Sequence, residues 1–510
     1  MTTMTTNIGY CGEKHGGQDI YDNLANLIDD FSVTTNYLGP CPSALDHITN
    51  NIDLITHYPK EDQQPYKQNL LNFLFPTTAK NPHLIMGNGA SELIELIVRL
   101  TPITTSTYYV DDTQYMEYER ACVLNNYEKT PDISVADIIC LINPCNPTGT
   151  YLSLEELKRK IQLAKPNSTI LIDESMQLWR GEHFREDSML SQCDFVRQLL
   201  ENNIHLYIIH SWTKFFSCTG LRIGSVLCPD ESTYNRIQKH INPWNCNILA
   251  LEYLDKCIQD CEYMEKTWNT TAKMRTQQIQ MIRAHFPEWI CHGADFLSWI
   301  WIELPDADIA EKLYIDSKIY NMPIRWGKTG YGKPNFIRIA VRKMGNFRKL
   351  LCVWKSSQCP TNSMENSLEQ IMINLETKIK RVLVTDLRTH ENINTDSGDK
   401  FYHYLVSLGD LKTMPAIIVD DDTNVIIDGH HRLYVLKKLN ILAIDVISIK
   451  YLDDNEYITV NPNNVRITKR NVIDSGLSGI EMLPKTTQHM VCINNRQYPI
   501  IIMSKIIFIE

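Results

Sequence analysis

No apolar run in this 510-residue chain approaches the length of a membrane span, so a membrane partner is not expected. The opening residues, MTTMTTNIGYCGEKHGG, contain no apolar core of a secretory signal. Positive charge is also short. Fifty Lys and Arg stand against 60 Asp and Glu, a formal net charge of −10, which argues against nucleic acid as a partner. The 15 cysteines include no C-x-x-C pair, and scattered thiols in a large chain imply a reducing compartment, the cytoplasm. There is no internal repeat and no phosphate-binding loop of the GxxxxGK[ST] kind.

What is present is an ordinary globular balance, 43% hydrophobic and 22% charged residues, in a chain too long for one core. From about 81 to 224, β-rich apolar runs alternate with helical stretches. LIMGNGASELIELIVRL reads as strand, glycine turn and helix. DIICLINPCNPTG, STILIDES and HLYIIHSWTKFF read as further buried strands. This alternation predicts a mostly parallel, doubly wound α/β sheet. SLEELKRKIQLA predicts a helix with Ser153 as N-cap and Glu155 and Glu156 in its first turn. After about 247 the pattern turns helical and then α+β up to 354. The polar, turn-rich KSSQCPTNS opens a linker and helix over 355–380, and a second α/β pattern runs from RVLVTDL to the C-terminus. The apolar tail PIIIMSKIIFIE suits a buried strand.

HSWTKFFSCTGLRIGSVLC, residues 210–228, carries the strongest chemical signal. A lysine after a buried strand, followed by Gly-Leu-Arg-x-Gly, fits a Schiff-base lysine for pyridoxal 5′-phosphate (PLP) with an arginine on the cofactor phosphate. Taken alone, Lys214 is more often a surface lysine. Its company is HGG (15–17), DFSVTTNYLGP (30–40), HYP (57–59), GNGASELI (87–94), NPCNPTGT (143–150), IDES (172–175), PWNCNILAL (243–251) and FIRIAVR (336–342).

In that order these blocks resemble the fold-type I PLP-dependent aminotransferases. The nearest branches are histidinol-phosphate aminotransferase and threonine-phosphate decarboxylase, and HGG, PWNCN and AVR lean toward the decarboxylase. The resemblance implies a domain over 1–354, with a large part at about 50–250 and a smaller α+β part at about 15–49 and 251–354. It implies Lys214 as the Schiff-base residue, Asp173 at the pyridine nitrogen and Asn146 at the ring hydroxyl. Tyr115 would stack on the ring, while Ala90, Ser91, Ser211 and Arg222 would hold the phosphate. Tyr58 would reach the phosphate of the other subunit, which implies a homodimer. Asn36, Arg338 and Arg342 would face the substrate, with Arg338 clamping its carboxylate. Each aromatic has a packing alternative, and Asp173 has a helix-cap alternative. Met176 stands where many aminotransferases have tyrosine, and Thr34 and Tyr37 replace common Asn and Pro.

The tail carries a second set: RVLVTDLRTHENI (381–393), MPAIIVDDDTNVIIDGHHR (414–432) and LPKTTQH (483–489). Alone, DGHHR allows a metal pair, a half-buried histidine, an N-cap aspartate or a mere turn. The three segments together resemble free-serine kinases built on a ParB/sulfiredoxin-like α/β domain, here over 381–510, with Gln488 where that family commonly has Arg. The resemblance implies ATP or ADP and Mg²⁺ as co-reactants. Glu391 would be the base, and Asp428 would position the hydroxyl or the metal ion. Gly429, His430, Lys485, Thr486, Thr487 and His489 would lie around phosphate, and His431 and Arg432 around the amino acid. The implied protein is bifunctional: it phosphorylates L-serine and decarboxylates O-phospho-L-serine to phosphoethanolamine, or does the equivalent with threonine. The alternatives are a phosphoserine or histidinol-phosphate aminotransferase, and a tail that only binds nucleotide or regulates.

Overall fold

Strands buried at nearly every position build the largest sheet. Its strands are β1 (His83–Gly87), β2 (Thr107–Val110), β3 (Glu128–Lys129), β4 (Ile138–Ile142), β5 (Thr169–Asp173), β6 (His205–Ser211) and β7 (Gly224–Cys228). They lie in the order β1-β7-β6-β5-β4-β2-β3. The five from β3 to β6 run parallel, and β7 is antiparallel to both neighbours. Ile139, Leu141, Ile170, Ile172 and Leu206 enter the core on one face. Ile138, Cys140, Leu171, Tyr207 and Ile209 enter the core on the other. A sheet covered on both sides needs apolar residues at every position, which is why these strands read as unbroken hydrophobic runs.

The computed structural model describes residues 16–17, 27–76, 82–102, 104–357, 368, 370–395, 398–399, 402–403, 415–453, 457–462, 467–484, 486–493 and 496–505. The chain divides into two units, residues 1–357 and 358–510. Within the first, the helix Leu154–Ile161 begins with a full capping box: Ser153 accepts from the Glu156 amide, and the Glu156 carboxylate accepts from the Ser153 amide at 2.8 Å. A smaller antiparallel sheet follows, of β8 (Ile290–His292), β9 (Trp299–Glu303), β10 (Arg325–Trp326) and β11 (Phe336–Ala340), in the order β10-β11-β9-β8. The helix Cys261–His285 leads into it. Phe31 belongs to its core beside Trp289, Ile300, Ile339 and Trp354, so the N-terminal segment packs with the C-terminal third of the unit.

The second unit holds a four-stranded mixed sheet of β12 (Lys378–Leu383), β13 (Ile418–Asp420), β14 (Ile426–Asp428) and β15 (Ala443–Ile449), in the order β12-β15-β13-β14. The helix His430–Lys438 follows β14 directly. A three-stranded antiparallel sheet joins β16 (Ile458–Pro462), β17 (Thr487–Ile493) and β18 (Arg496–Pro499).

Three sequence boundaries shift. Lys355, Ser356 and Ser357 continue the helix Met344–Ser357, where Ser357 donates back to the Val353 carbonyl at 3.0 Å, so they are not linker. The second sheet starts at Lys378, inside the segment expected to be helical, because Lys378–Leu383 pair with Ala443–Ser448. The apolar tail turns into the short helix Ile502–Lys505 rather than a strand, with Met503 and Ser504 amides donating to the Ile500 and Ile501 carbonyls. Among the described residues no helix is long and apolar enough to cross a membrane, and the described cysteines are free thiols.

Ser153→Ala removes one side of the capping box and leaves the rest of the helix intact. The expected outcome is a loss of about 1 kcal/mol of stability, read by chemical denaturation, with PLP binding unchanged.

Candidate active sites

In a parallel sheet, groups at the carboxyl ends of neighbouring strands converge. Asp173 ends β5 and Ser211 ends β6, and Ser175 ties the two ends together. Its amide donates to Asp173 Oδ1 at 2.8 Å and its hydroxyl accepts from the Ser211 amide at 2.7 Å. From Ser211 a short chain of polar contacts runs onward: Ser211 Oγ to Thr213 Oγ1 at 3.0 Å, then Lys214 Nζ to Thr213 Oγ1 at 3.1 Å. Burial, with the Arg222 charge next, pulls the Lys214 ammonium down from 10.5 to about 8, against the attraction of Asp173. Burial raises the Asp173 carboxyl, opposed by the Ser175 amide and hydroxyl and by Lys214. Glu174, next in sequence and fully buried, is pushed up to about 7 by burial.

The anion cup lies where β1 meets β7. The helix Ala90–Leu100 starts after Gly89, whose φ is +78°. A Cβ on Gly89 would lie 2.6 Å from Arg222 Nη2, so the guanidinium rests over the bare backbone. A Cβ on Gly224 would lie 2.4 Å from the Ala90 amide nitrogen. The two glycines thus let the helix start, with Ala90 and Ser91, and the Arg222 side chain approach one another. This geometry suits a phosphate monoester.

Tyr115 is half-buried near these groups, its phenol raised by burial and by the charges of Glu117 and Asp173. Asn146 Oδ1 accepts from Arg338 Nη1 at 2.5 Å. Arg338 also donates to the Ser32 carbonyl at 2.6 Å, and Tyr331, which the sequence did not suggest, lies 3.4 Å from the same guanidinium. The buried Arg338 Nε has no hydrogen-bond partner among the described residues. Tyr58 is 79% exposed and its ring lies 4.5 Å from that of Trp244.

Two substrate assignments need correction. Asn36 is buried and its amide is committed: Nδ2 donates to the Phe215 carbonyl, the Tyr263 hydroxyl and Thr267 Oγ1 at 3.1, 2.9 and 2.7 Å. Its own amide N–H donates to the Lys214 carbonyl at 3.0 Å, so Asn36 braces the lysine loop instead of meeting substrate. Arg342 is likewise committed, donating to the carbonyls of Asp30, Val33 and Thr35 and pairing with Asp29 at 3.2 Å. It fixes the N-terminal segment. Repeated donation to main-chain carbonyls leaves no recognisable sequence pattern, so the motif alone could not show this.

In the second unit, residues 388–392 run as an extended piece between β14 and Met482. The Ile426 amide donates to the Arg388 carbonyl at 2.8 Å, and the Met482 amide to the His390 carbonyl at 2.9 Å. This sets Glu391 against Thr487, whose amide and hydroxyl approach Glu391 Oε2 at 3.4 and 3.3 Å. Gly429, at φ +120°, starts the helix His430–Lys438. Asp428 and Arg432 form an ion pair with each other, and Arg432 also donates to the Pro415 carbonyl at 2.9 Å and to that of Ala416. Arg432 therefore closes the loop after residue 414, where a substrate contact was expected. His489 is also corrected. It is buried, its Nε2 lies 2.8 Å from the Tyr451 hydroxyl, and burial holds the ring neutral down to about 3. His430 is buried and held neutral in the same way, its Nε2 without a hydrogen-bond partner among the described residues. His431 and Thr487 are half-buried, Thr486 donates to the Leu483 carbonyl, and Lys485 lies outside the described residues. Among the described residues no three His, Cys, Asp or Glu side chains are placed to hold a metal ion. His390, next to Glu391 within RVLVTDLRTHENI, is a buried residue that the sequence reading did not single out.

With this geometry in view, similarity to known proteins is informative. Residues 123–351 match the model of "Aminotransferase class I and II". The threonine-phosphate decarboxylase of Salmonella typhimurium strain LT2 is 25% identical over 263 residues, 47% of this chain and 67% of that protein. A histidinol-phosphate aminotransferase of Mannheimia succiniciproducens is 24% identical over 336 residues, 62% of this chain and 86% of that protein. The crystal structure of the histidinol-phosphate aminotransferase from Clostridium acetobutylicum aligns with a TM-score of 0.56 at 24% identity, covering 64% of this chain and 98% of that one. Residues 123–351 are thus similar to an aminotransferase class I and II domain, and the first unit shares the fold of that histidinol-phosphate aminotransferase.

Proposed function

We propose that the first unit binds PLP and decarboxylates an O-phosphorylated hydroxy amino acid, and that the second unit phosphorylates the free amino acid, L-serine, from ATP or ADP with Mg²⁺. The observation that carries the PLP reading is the half-buried Lys214, linked through Thr213 to Ser211 and lowered to about 8 between Asp173 and the Arg222 cup. The residues fit the cofactor. Asp173 would pair with a pyridinium, Asn146 would meet a ring hydroxyl, and the Ala90–Ser91 helix start with Arg222 and Ser211 would hold a phosphate. Bound PLP supplies a conjugated electron sink that weakens bonds at the substrate Cα. Lys214 would hold the cofactor through its amine, and the same amine could return a proton to the substrate Cα. Arg338, braced by Ser32 and Asn146, offers its planar fork to a carboxylate. A decarboxylase must hold that carboxylate perpendicular to the ring plane, where the bond to Cα weakens. Similarity to threonine-phosphate decarboxylases supports this branch.

The exposed Tyr58–Trp244 pair, with exposed Ile52 and Ile55 nearby in sequence, supports a homodimer formed through this unit. For the second unit, the support is Glu391 set against Thr487, near a helix start at Gly429 that offers backbone N–H groups to phosphate. Phosphoryl transfer is mostly positioning and charge neutralisation, which such groups can supply. The rival reading is transamination of histidinol phosphate or phosphoserine with a nucleotide-sensing tail. It draws on the histidinol-phosphate aminotransferases, which align over 86% of their length.

Four measurements test these assignments. Lys214→Ala is expected to abolish the visible absorbance band formed on adding PLP, and a persistent band sinks the lysine assignment. Because only the neutral amine condenses, the rate of PLP uptake by wild-type protein should climb as pH rises through about 8 and level off above it. A midpoint near the ordinary 10.5 of a lysine overturns the buried-amine argument. O-phospho-L-serine should release CO₂ with no 2-oxo acid present, whereas strict dependence on 2-oxoglutarate selects the rival. In the second unit, Glu391→Gln should slow serine-dependent nucleotide turnover by ~10²-fold or more. Unchanged turnover removes Glu391 from the mechanism.

A further inference from the structure

Asp173 has a buried neighbour that nothing above uses. Successive side chains along a strand point to opposite faces, so on β5 Asp173 shares a face with Leu171. Leu171 belongs to the core that also holds Cys140 and Ile142 of β4, and Tyr118. Ile142 is the partner of Asp173 across the ladder. Tyr118 is the second residue of the helix Glu117–Leu124, three positions after Tyr115, and is fully buried. Its phenol thus arrives over the end of β5, and Asp173 is the carboxylate it meets. The hydroxyl closes no hydrogen bond among the described residues. A buried hydroxyl without a partner is costly and rare.

We propose that Tyr118 is a positioning residue for Asp173: its hydroxyl donates to the carboxylate when a pyridinium is paired there, and so keeps Asp173 charged and the pyridine nitrogen protonated. This rests on reading Asp173 as the partner of the PLP ring nitrogen. Burial works against the charged form of Asp173, which is the form a pyridinium needs. A donated hydrogen bond favours that form, and a carboxylate oxygen accepts more than one. Burial, with the Asp173 charge next, holds the phenol well above its ordinary value, so it keeps its proton and acts as a donor. Besides Asp173 on β5, the phenol faces Cys140 on β4 and Tyr115 ahead of its own helix, while Asp173 also faces Ser175 and Lys214. The strength of the bond follows the charge of Asp173: a carboxylate draws the phenol proton, and a neutral carboxyl does so only weakly.

The test uses the full chain loaded with PLP labelled with ¹⁵N at the pyridine nitrogen. In the wild type the ¹⁵N resonance is expected at the upfield position of a protonated ring. Tyr118→Phe keeps the ring and its packing and deletes only the donor. Its resonance should move downfield toward neutral pyridine, reporting a loss on the order of tenfold in favour of the protonated form. Without PLP, Tyr118→Phe should be no less stable than the wild type, because the deleted hydroxyl has no partner among the described residues. On adding PLP it should gain less than the wild type, read as the shift in urea midpoint. Wild-type protein gives a readout that needs no variant: one slowly exchanging tyrosine hydroxyl proton should move downfield when PLP is added. An unmoved ¹⁵N resonance in Tyr118→Phe, an equal gain in midpoint or an unresponsive hydroxyl proton overturns the proposal and leaves Tyr118 as packing. A neutral-pyridine resonance in the wild type sinks the Asp173 reading itself, a different failure, recognised before any variant is made.

Discussion

The N-terminal unit turns on one constraint: an amine and a carboxylate must be buried side by side without neutralising each other's use. Lys214 and Asp173 stand at the ends of a sheet whose strands are apolar on both faces. That sheet supplies the low dielectric that draws the amine down to about 8 and the Asp173 carboxyl up. Such a site tolerates few unsatisfied groups, and its surroundings are organised accordingly. Ser175 bridges the strand ends, Asn36 ties the lysine loop to the helix Cys261–His285, and Gly89 and Gly224 remove the Cβ atoms that would keep the helix start from Arg222.

The second unit solves a related problem with neutral groups. Three imidazoles are packed together without a carboxylate ion pair among the described residues, and burial keeps His390, His430 and His489 uncharged. Asp428 and Arg432 neutralise one another at the start of the helix. The result is a region rich in polar atoms whose hydrogen-bond directions, rather than charges, carry the information.

How much of this was legible depended on the kind of contact. Strand–turn–helix units were readable because their periodicity is local, as in LIMGNGASELIELIVRL and in the Ser153 capping box. Residues that converge at strand ends, such as Asp173 and Ser211, stood in short blocks of fixed order. The failures share a cause. Asn36, Arg342, Arg432 and His489 are residue types suited to ligands, but each is committed to main-chain carbonyls or buried partners distant in sequence. Nothing local distinguishes an arginine that waits for a substrate from one that holds a loop. The first half of the strand Lys378–Leu383 was assigned to helix because the helix-compatible sequence of Lys378–Lys380 is overridden by pairing with Val446–Ser448, more than 60 residues later.

The arginine brace also has a temporal meaning. Arg342 holds the carbonyls of residues 30, 33 and 35 across more than 300 residues of chain. Asn36 in turn holds the carbonyl of Phe215, and its own amide holds that of Lys214. During synthesis Asn36 can hold the lysine loop once that loop has emerged, but the carbonyls of residues 30, 33 and 35 wait for residue 342 to leave the ribosome, so this bracing is completed late.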